Sequence, residues 1–180
     1  MDKEALKLQT SVKFWYQHQP TKENFNESLL PIGVAGSVEE FWQFYQHFKK
    51  PSNFEDNSYL YAFKENVKPV WEDPNNKNGG YFLLRFDKEH SNKVWEDILL
   101  GFVVKNIKQN EMVNGLRLKI RKNIATVEVW ISDANNEEKF EKVRDWILDS
   151  MCLNPDTPIE LLKFNIEWNL IVFKTCILCQ

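Results

Sequence analysis

Residues 115–131, with the sequence GLRLKIRKNIATVEVWI, constrain the fold more than any other part of the chain. Apolar and polar side chains alternate on both sides of a short turn, which is the pattern of a β-hairpin with one buried face. The apolar positions are Leu116, Leu118, Ile120, Val127, Val129 and Ile131, and the positions between them are Arg117, Lys119, Arg121, Thr126, Glu128 and Trp130. One strand of the hairpin therefore has a wholly basic face.

The three cations on this face repel one another unless they are solvated or paired with anions. Glu128 on the adjoining strand can pair with only some of them. Two interpretations stay open. The face is either a solvated outer surface on which the long stems snorkel, or a row of phosphate ligands with Trp130 beside it.

The rest of the chain predicts strands interrupted by three helices. Strands are predicted over residues 6–17, 59–64, 81–86, 159–164 and 170–179. Helices are predicted over residues 38–48, after a Ser-x-x-Glu capping box at Ser37, over residues 92–104 and over residues 136–151. Because the links are short and compatible with antiparallel pairing, we expect one α+β domain that spans residues 1–180, with a short flexible N-terminus over about residues 1–5.

Composition and motifs limit the function. Lys and Arg number 23 against 26 Asp and Glu, a net charge of −3, so any nucleic-acid contact must be local and short. Aromatic residues make up 14% of the chain, which suits either base stacking or a crowded core. The odd number of cysteines, Cys152, Cys176 and Cys179, and the lack of a visible signal peptide favour a reducing compartment. We therefore expect a cytoplasmic protein, with a nuclear fraction as a further option.

The motifs of enzymes are missing from the sequence. It contains no glycine-rich phosphate loop and no Gly-x-Ser-x-Gly. His18, His47 and His90 lie far apart, without a Cys, Asp or Glu at metal spacing, and the terminal Cys-x-x-C reads as two strand thiols. We expect no enzyme activity, no metal site and no cofactor.

The loop at residues 67–80 is the main candidate for ligand binding. Pro69 and the following PNN and NGG turns place Trp71 and Glu72 on a loop. An indole can stack on guanine while a carboxylate accepts hydrogen bonds from its N1 and N2 edge. The alternative is an indole that is tucked into the core. Phe25, isolated in a polar loop, is likewise either an anchor or a ring that awaits a planar ligand.

Two helices carry apolar side chains outside their main stripe. Trp42 lies at the edge of the first helix, where it either seals the core or meets a partner. Leu100 and Val103 lie on the side of the second helix near Glu96, opposite its core face. This second apolar side needs either an adjacent helix of the domain or an external one.

Three segments carry a family resemblance: SVEEFWQFYQHF, KPVWED with the following NGG, and GLRLKIRKNIATVEVW. Between about Trp15 and Met151 the chain resembles the eukaryotic translation initiation factor 4E family, which binds the 7-methylguanosine cap of messenger RNA. The resemblance implies a curved antiparallel sheet of about eight strands, three helices on its convex back and the cap slot on its concave front.

The resemblance also implies roles for residues in the slot. Phe25, usually Trp in the family, and Trp71 would sandwich the methylated base, Glu72 would read the guanine edge, and Trp130 would contact the N7-methyl group. The smaller ring at Phe25 implies weaker stacking. Arg121 would hold the cap phosphates.

The phosphate end departs from the family pattern, since Thr126 and Tyr81 stand where basic residues are usual. Lys119 and Lys122 are expected to compensate. The apolar segment over about residues 159–180 is also atypical.

On the back of the sheet, the resemblance implies a site for the Tyr-x-x-x-x-Leu-hydrophobic helix of a scaffold initiation factor or a repressor. Its residues would be Val38, Trp42, Leu100 and Val103. Glu96 replaces an apolar contact there, and Leu6 with Lys7 replaces the usual His-Pro. The resemblance implies a monomeric initiation factor that bridges cap and scaffold. The alternatives are a cap-binding repressor or decoy with weak scaffold binding, and an interaction protein without cap binding.

Overall fold

One antiparallel sheet and three α-helices make up the fold. The computed structural model describes residues 5–21, 23–104 and 111–164. The strands are β1 (Lys7–His18), β2 (Leu30–Ser37), β3 (Ser58–Lys64), β4 (Gly80–Asp87), β5 (Val113–Arg121), β6 (Ile124–Ile131) and β7 (Glu160–Lys163). The helices are α1 (Val38–Tyr45), α2 (Ser91–Val104) and α3 (Glu137–Ser150). The strands of this curved sheet lie in the order β2-β1-β3-β5-β6-β4-β7.

The predicted α+β class and the hairpin are confirmed. Strands β5 and β6 pair with Arg121 opposite Ile124, as the alternating pattern requires. The described residues hold seven strands where about eight were expected, and the strand predicted over residues 170–179 lies outside them. Within the same described part of the chain, no helix is both long enough and apolar enough to cross a membrane.

Strand β2 was not predicted from the sequence. It contains Pro31 and two glycines, which weaken the strand pattern. Because β2 lies at the edge of the sheet, Pro31 can be accommodated beside an irregularity in its pairing with β1.

The capping box at the start of α1 is confirmed. The Ser37 hydroxyl accepts a hydrogen bond from the backbone N–H of Glu40 at 3.2 Å. The Glu40 carboxylate in turn accepts the backbone N–H of Gly36 at 2.7 Å, one residue earlier than in the usual box. The helix ends at Tyr45 instead of residue 48, because the N–H of His47 bonds to the carbonyl of Phe44 in a tighter turn.

The main core lies between the helices and the face of the sheet that we call the helix face, which carries Leu60, Ala62, Leu116 and Leu118. Helix α2 also packs against α3, where Gly101 approaches Ser150 and Trp146. Val103 is buried in this core, contrary to its expected outward position, and Leu100 is half-buried against it.

The opposite face of the sheet, which we call the loop face, carries a second apolar cluster. We call this cluster the aromatic cup. Its floor is formed by Leu29, Tyr61, Phe63, Val67, Val70 and Trp130, and its rim by the partly buried Trp15, Phe25, Tyr59, Tyr81 and Phe164. The floor residues on the strands come from β3 and β6, so these strands bury side chains on both of their faces.

Gly115 allows the cup floor to pack. It lies opposite Phe63 across β5 and β3, and a Cβ at this position would overlap the Phe63 ring. We expect Gly115→Ala to lower the free energy of unfolding by about 1–3 kcal/mol, because the buried ring must shift. Urea denaturation would measure this loss. Adding Phe63→Leu should restore part of it, and an unchanged urea midpoint for Gly115→Ala would contradict the close contact.

Candidate functional site

Two loops fold over the loop face and build the cup. Residues 19–29 follow β1, and residues 65–79 follow β3. Because His18 at the end of β1 pairs with Ser58 at the start of β3, the loops leave the sheet at opposite ends. They nevertheless meet over the cup, where the Lys68 ammonium donates to the Asn26 side-chain oxygen at 3.4 Å. Phe25 and Trp71 lie close in sequence to these two residues.

Gln17 tethers the loop that carries Phe25. Its side chain is fully buried, and its amide donates to the Phe25 carbonyl at 2.8 Å and to the Ser28 hydroxyl at 2.9 Å. The Tyr61 hydroxyl donates to the Gln17 amide oxygen at 2.6 Å. The Phe25 ring packs on the cup but stays half-buried, so it is anchored and still partly accessible.

Asn76 tethers the loop that carries Trp71. Its buried side-chain amide donates to the carbonyls of Lys68 and Val70 at 2.9 and 2.8 Å, and its oxygen accepts from Asn114 on β5 at 2.9 Å. Val70 is thereby held in the cup floor. The next residue, Trp71, is 50% exposed, which excludes the interpretation that its indole is tucked into the core.

Glu72 follows Trp71 on the same loop and is exposed. Its carboxylate has no hydrogen-bond or ion-pair partner among the described residues. An exposed indole and an exposed carboxylate therefore lie next to each other, as the sequence predicted.

An ion pair between a largely buried cation and a buried carboxylate crosses the cup floor. Arg117 on β5 pairs with Glu128 on β6, and the Trp130 indole N–H donates to the other Glu128 oxygen at 3.0 Å. Burial by itself lowers the pKa of the Arg117 guanidinium, but the attraction of Glu128 and the hydrogen bond to it outweigh burial, so the pKa lies above its ordinary value. At Arg117 the face is therefore neither a solvated outer surface nor a phosphate ligand, because the side chain is paired with Glu128.

The other cations of the basic strand lie nearer its end. Lys119 is half-buried, with its ammonium 5.5 Å from the centre of the Tyr59 ring. Burial, and then the charge of Arg117, hold the pKa of Lys119 below its ordinary value. Arg121 is exposed.

Lys122 lies in the turn of the hairpin, where its φ is 54° and its side chain is exposed. Its backbone N–H donates to the Asp56 carboxylate at 2.6 Å and holds the pKa of Asp56 below its ordinary value. The Asp56 charge therefore lies close to the cations that are predicted to hold phosphate.

Trp130 and Tyr81 form an aromatic group with Phe164. Trp130 is 3% exposed and its ring centre lies 4.5 Å from that of Phe164 and 6.3 Å from that of Tyr81. The Phe164 and Tyr81 ring centres are 5.4 Å apart. The sequence reasoning missed Phe164, because the apolar tail in which it lies carries no motif.

Trp42 is exposed on the side of the sheet that carries the helices, which we call the helix side. Its indole is 45% exposed and packs edge-on against Phe41 and Tyr45, at 5.3 and 5.7 Å between ring centres. The Tyr45 hydroxyl donates to the Glu96 carboxylate at 3.2 Å and so joins α1 to α2. Val38 is half-buried nearby at the start of α1.

A separate cavity of about 220 Å³ also lies on the helix side. Its lining includes Tyr16, Phe48 and Phe54, which pack against the main core. It is therefore distinct from the aromatic cup.

One sequence-based statement is wrong. His90 was said to have no carboxylate at metal spacing, but the short helical turn at Lys88–His90 brings the ligand atoms of Asp87, Glu89 and His90 within 4.8 Å of one another. All three side chains are exposed, and such exposed acidic groups are common without a metal.

The fold and the cup together define a class of protein: an α+β protein whose sheet carries aromatic rings, an exposed carboxylate and a short cationic strand on the face opposite its helices. The chain matches the family "Eukaryotic initiation factor 4E" over residues 7–172 and belongs to this family. Its members are translation factors, not enzymes.

Named relatives share about a third of their aligned residues. The chain is 31% identical to eukaryotic translation initiation factor 4E-4 of Caenorhabditis elegans over 157 residues, which cover 85% of this chain and 74% of that protein. It is 32% identical to initiation factor NCBP of Triticum aestivum, over 78% of this chain and 62% of that protein. It is also 32% identical to initiation factor 4E-1 of Arabidopsis thaliana, over 74% of this chain and 58% of that protein. The matched region thus spans less than two thirds of both plant proteins.

Solved structures share the fold. Ascaris suum eIF4E-3 in complex with an m2,2,7G cap has a TM-score of 0.86 at 23% identity, covering 95% of this chain and 98% of that one. C. elegans eIF4E-3 in complex with the 4E-binding protein Mextli and a cap analog has a TM-score of 0.82 at 23% identity, covering 88% and 92%.

The Gln17 tether can be tested directly. Gln17→Leu leaves the Tyr61 hydroxyl and the Phe25 carbonyl without their buried partner, so we expect the free energy of unfolding to fall by about 1–3 kcal/mol. We also expect faster hydrogen exchange at the Ser28 amide, which bonds to the Asn24 carbonyl at 2.8 Å within this loop. Gln46→Leu, at an exposed position after α1, is the control. A folded Gln17→Leu variant with unchanged Ser28 protection would contradict the tether.

Proposed function

We propose that this chain binds the 7-methylguanosine 5′ cap of messenger RNA in the aromatic cup and recruits a scaffold initiation factor through its helix side. The observation that carries the proposal is the half-exposed Trp71 next to the exposed Glu72, on a loop that meets the Phe25 loop over the cup. A half-exposed indole on a firmly tethered loop leaves apolar area that a planar ligand can cover.

The chemistry of a methylated guanine suits these residues. N7-methylation makes the base cationic, so it is attracted to the faces of Trp71 and Phe25. The two oxygens of Glu72 accept hydrogen bonds from the N1 and N2 edge of the base. Because a ring and a carboxylate both favour a cation, the site should prefer methylated over unmethylated guanine.

The phosphates are assigned to the outer end of the basic strand. Arg117 is committed to Glu128, which leaves Arg121, Lys119 and Lys122 as the phosphate ligands. Of these, Arg121 and Lys122 are exposed and can reach an anion at a smaller desolvation cost than the half-buried Lys119. The Asp56 carboxylate on the Lys122 turn offsets part of their charge.

The relatives support both halves of the proposal. The named relatives are translation initiation factors, the A. suum structure contains a cap, and the C. elegans structure contains a 4E-binding protein together with a cap analog. On this chain, exposed Trp42 and half-buried Val38 and Leu100 offer apolar surface for a helix with the Tyr-x-x-x-x-Leu-hydrophobic motif.

The second candidate is a cap-binding repressor or decoy. Two observations favour it. Val103, one of the four expected partner residues, is 7% exposed, and Glu96 between α1 and α2 is engaged by Tyr45. Both features reduce the apolar area that a scaffold helix could cover, while the cup is unaffected.

Cap binding should depend on both loop aromatics. We expect Trp71→Ala and Phe25→Ala each to weaken 7-methyl-GTP binding by about 1–3 kcal/mol, about 5- to 150-fold in Kd, because each removes one stacking face. Anisotropy of a labelled cap analogue, with unlabelled 7-methyl-GTP or GTP as competitor, measures this. Trp42→Ala removes an exposed indole on the other side of the sheet and should leave the Kd unchanged. Equal affinity of the unmodified chain for GTP and 7-methyl-GTP would overturn the proposal.

The two candidate functions differ in what the helix side binds. On cap resin, an initiation factor should co-retain a scaffold peptide with the Tyr-x-x-x-x-Leu-hydrophobic motif. Trp42→Ala should reduce that co-retention at least about fivefold, because truncating a well-packed interface Trp costs about 1 kcal/mol or more of binding free energy. The protein itself should stay on the resin. A chain that is retained by the resin but captures no scaffold peptide would favour the repressor.

A further inference from the structure

Phe164 lies on the rim of the cup, in contact with Trp130 and Tyr81, and we call these three rings the inner wall. It follows β7 directly and is half-buried, whereas Trp130 beneath it is 3% exposed. Their ring centres lie 4.5 Å apart at a tilt of 56°. Phe63 contacts Trp130 edge-on at 5.3 Å, and the Arg117 guanidinium lies 5.5 Å from its ring centre.

Trp130 itself has little surface left for a ligand. Its indole N–H is bonded to Glu128, and its ring is enclosed by Phe63, Arg117, Tyr81 and Phe164. Contact energy between a ring and a ligand scales with the area that they cover, so an indole with 3% of its surface exposed can contribute little directly. The accessible aromatic surface at this wall belongs to Phe164 and Tyr81, which are both half-buried.

Backbone hydrogen bonds fix the position of Phe164 relative to the Trp71 loop. Strand β7 pairs with β4, with Leu162 opposite Tyr81. The Phe164 backbone N–H then donates to the Gly79 carbonyl at 3.0 Å, and Gly79 is the last residue of the loop that carries Trp71 and Glu72. The ring is therefore anchored to the same segment that presents the stacking indole.

We propose that Phe164 is a specificity-determining residue of the cup, whose ring contacts the cationic, N7-methylated edge of the bound guanine while Trp130 serves as its buried support. An aromatic face over a partly desolvated cation contributes more than it does over a neutral base. Phe164 therefore adds to the preference for the methylated base, in addition to Trp71 and Phe25. This inference rests on the proposed function and deepens it.

The test compares two alanine variants of the same short segment. Phe164→Ala removes the ring, whereas Leu161→Ala removes a side chain of β7 that packs on the main core, on the other face of the sheet. Anisotropy competition gives the Kd for 7-methyl-GTP and for GTP. We expect Phe164→Ala to weaken 7-methyl-GTP binding about 3- to 20-fold, with a smaller loss for GTP. Leu161→Ala should leave both Kd values unchanged.

Phe164→Leu separates aromatic contact from filling of space. Leucine keeps an apolar side chain over Trp130 but lacks the π face, so methyl selectivity should fall as in Phe164→Ala while the urea midpoint stays near that of the unmodified chain. Full selectivity in Phe164→Leu, or unchanged or tighter cap binding in Phe164→Ala, would overturn the role of Phe164.

A direct readout uses 7-methyl-GTP labelled with 13C in its methyl group. We expect nuclear Overhauser contacts from this methyl to the Phe164 ring, and their loss in Phe164→Leu. Contacts to the Trp130 indole alone would overturn the inference and leave cap binding intact. An unmodified chain that binds neither nucleotide would instead overturn the proposed function, and this inference with it.

Discussion

Strand β3 carries large apolar side chains on both faces, and the rest of the structure depends on burying both of them. Leu60 and Ala62 point to the helices, whereas Tyr61 and Phe63 point to the loop face, and all four are at most 2% exposed. Between their ends, helices satisfy their own backbone hydrogen bonds, so they can cover the first face. Loops do not, so they cover the second face only where side chains such as Gln17 supply polar partners. The result is a cup with a sealed floor and an accessible rim.

The same constraint explains how the basic strand is divided. At Arg117 the sheet is covered, so the cation must pair with Glu128, and the Trp130 indole satisfies the second carboxylate oxygen. Removing one member would leave a buried charge without its partner, which costs more than the pair contributes. Arg121 lies four residues further on, at the exposed end of β5, where no such requirement applies. One alternating sequence thus provides a structural ion pair inside and free cations outside.

Much of this could be predicted because the signals are local. The hairpin follows from strict alternation and α1 from its capping box. Strand β2 could not be predicted, because its pairing is tertiary and its sequence contains Pro31. The orientation of Val103 depends on how α2 packs on the sheet and beside its neighbours, which helical periodicity alone does not determine. The tether at Gln17 could not be predicted either, because it also depends on tertiary contacts. A glutamine within a strand becomes informative only when its partners, 8 and 44 residues away, are known.

Tyr81 and Phe164 change the character of the inner wall together. Tyr81 lies opposite Trp130 on β6 and opposite Leu162 on β7, so a large ring at Tyr81 gives Phe164 a surface on which to pack. A basic residue in place of Tyr81 would lose its hydration to the same packing, next to the largely buried Arg117. Burying such a cation costs about several kcal/mol. The aromatic ring of Tyr81 therefore favours an apolar residue at position 164. Because β7 is a four-residue edge strand, a ligand that contacts Phe164 binds only the state in which β7 is paired, so ligand binding and the pairing of β7 must stabilise each other.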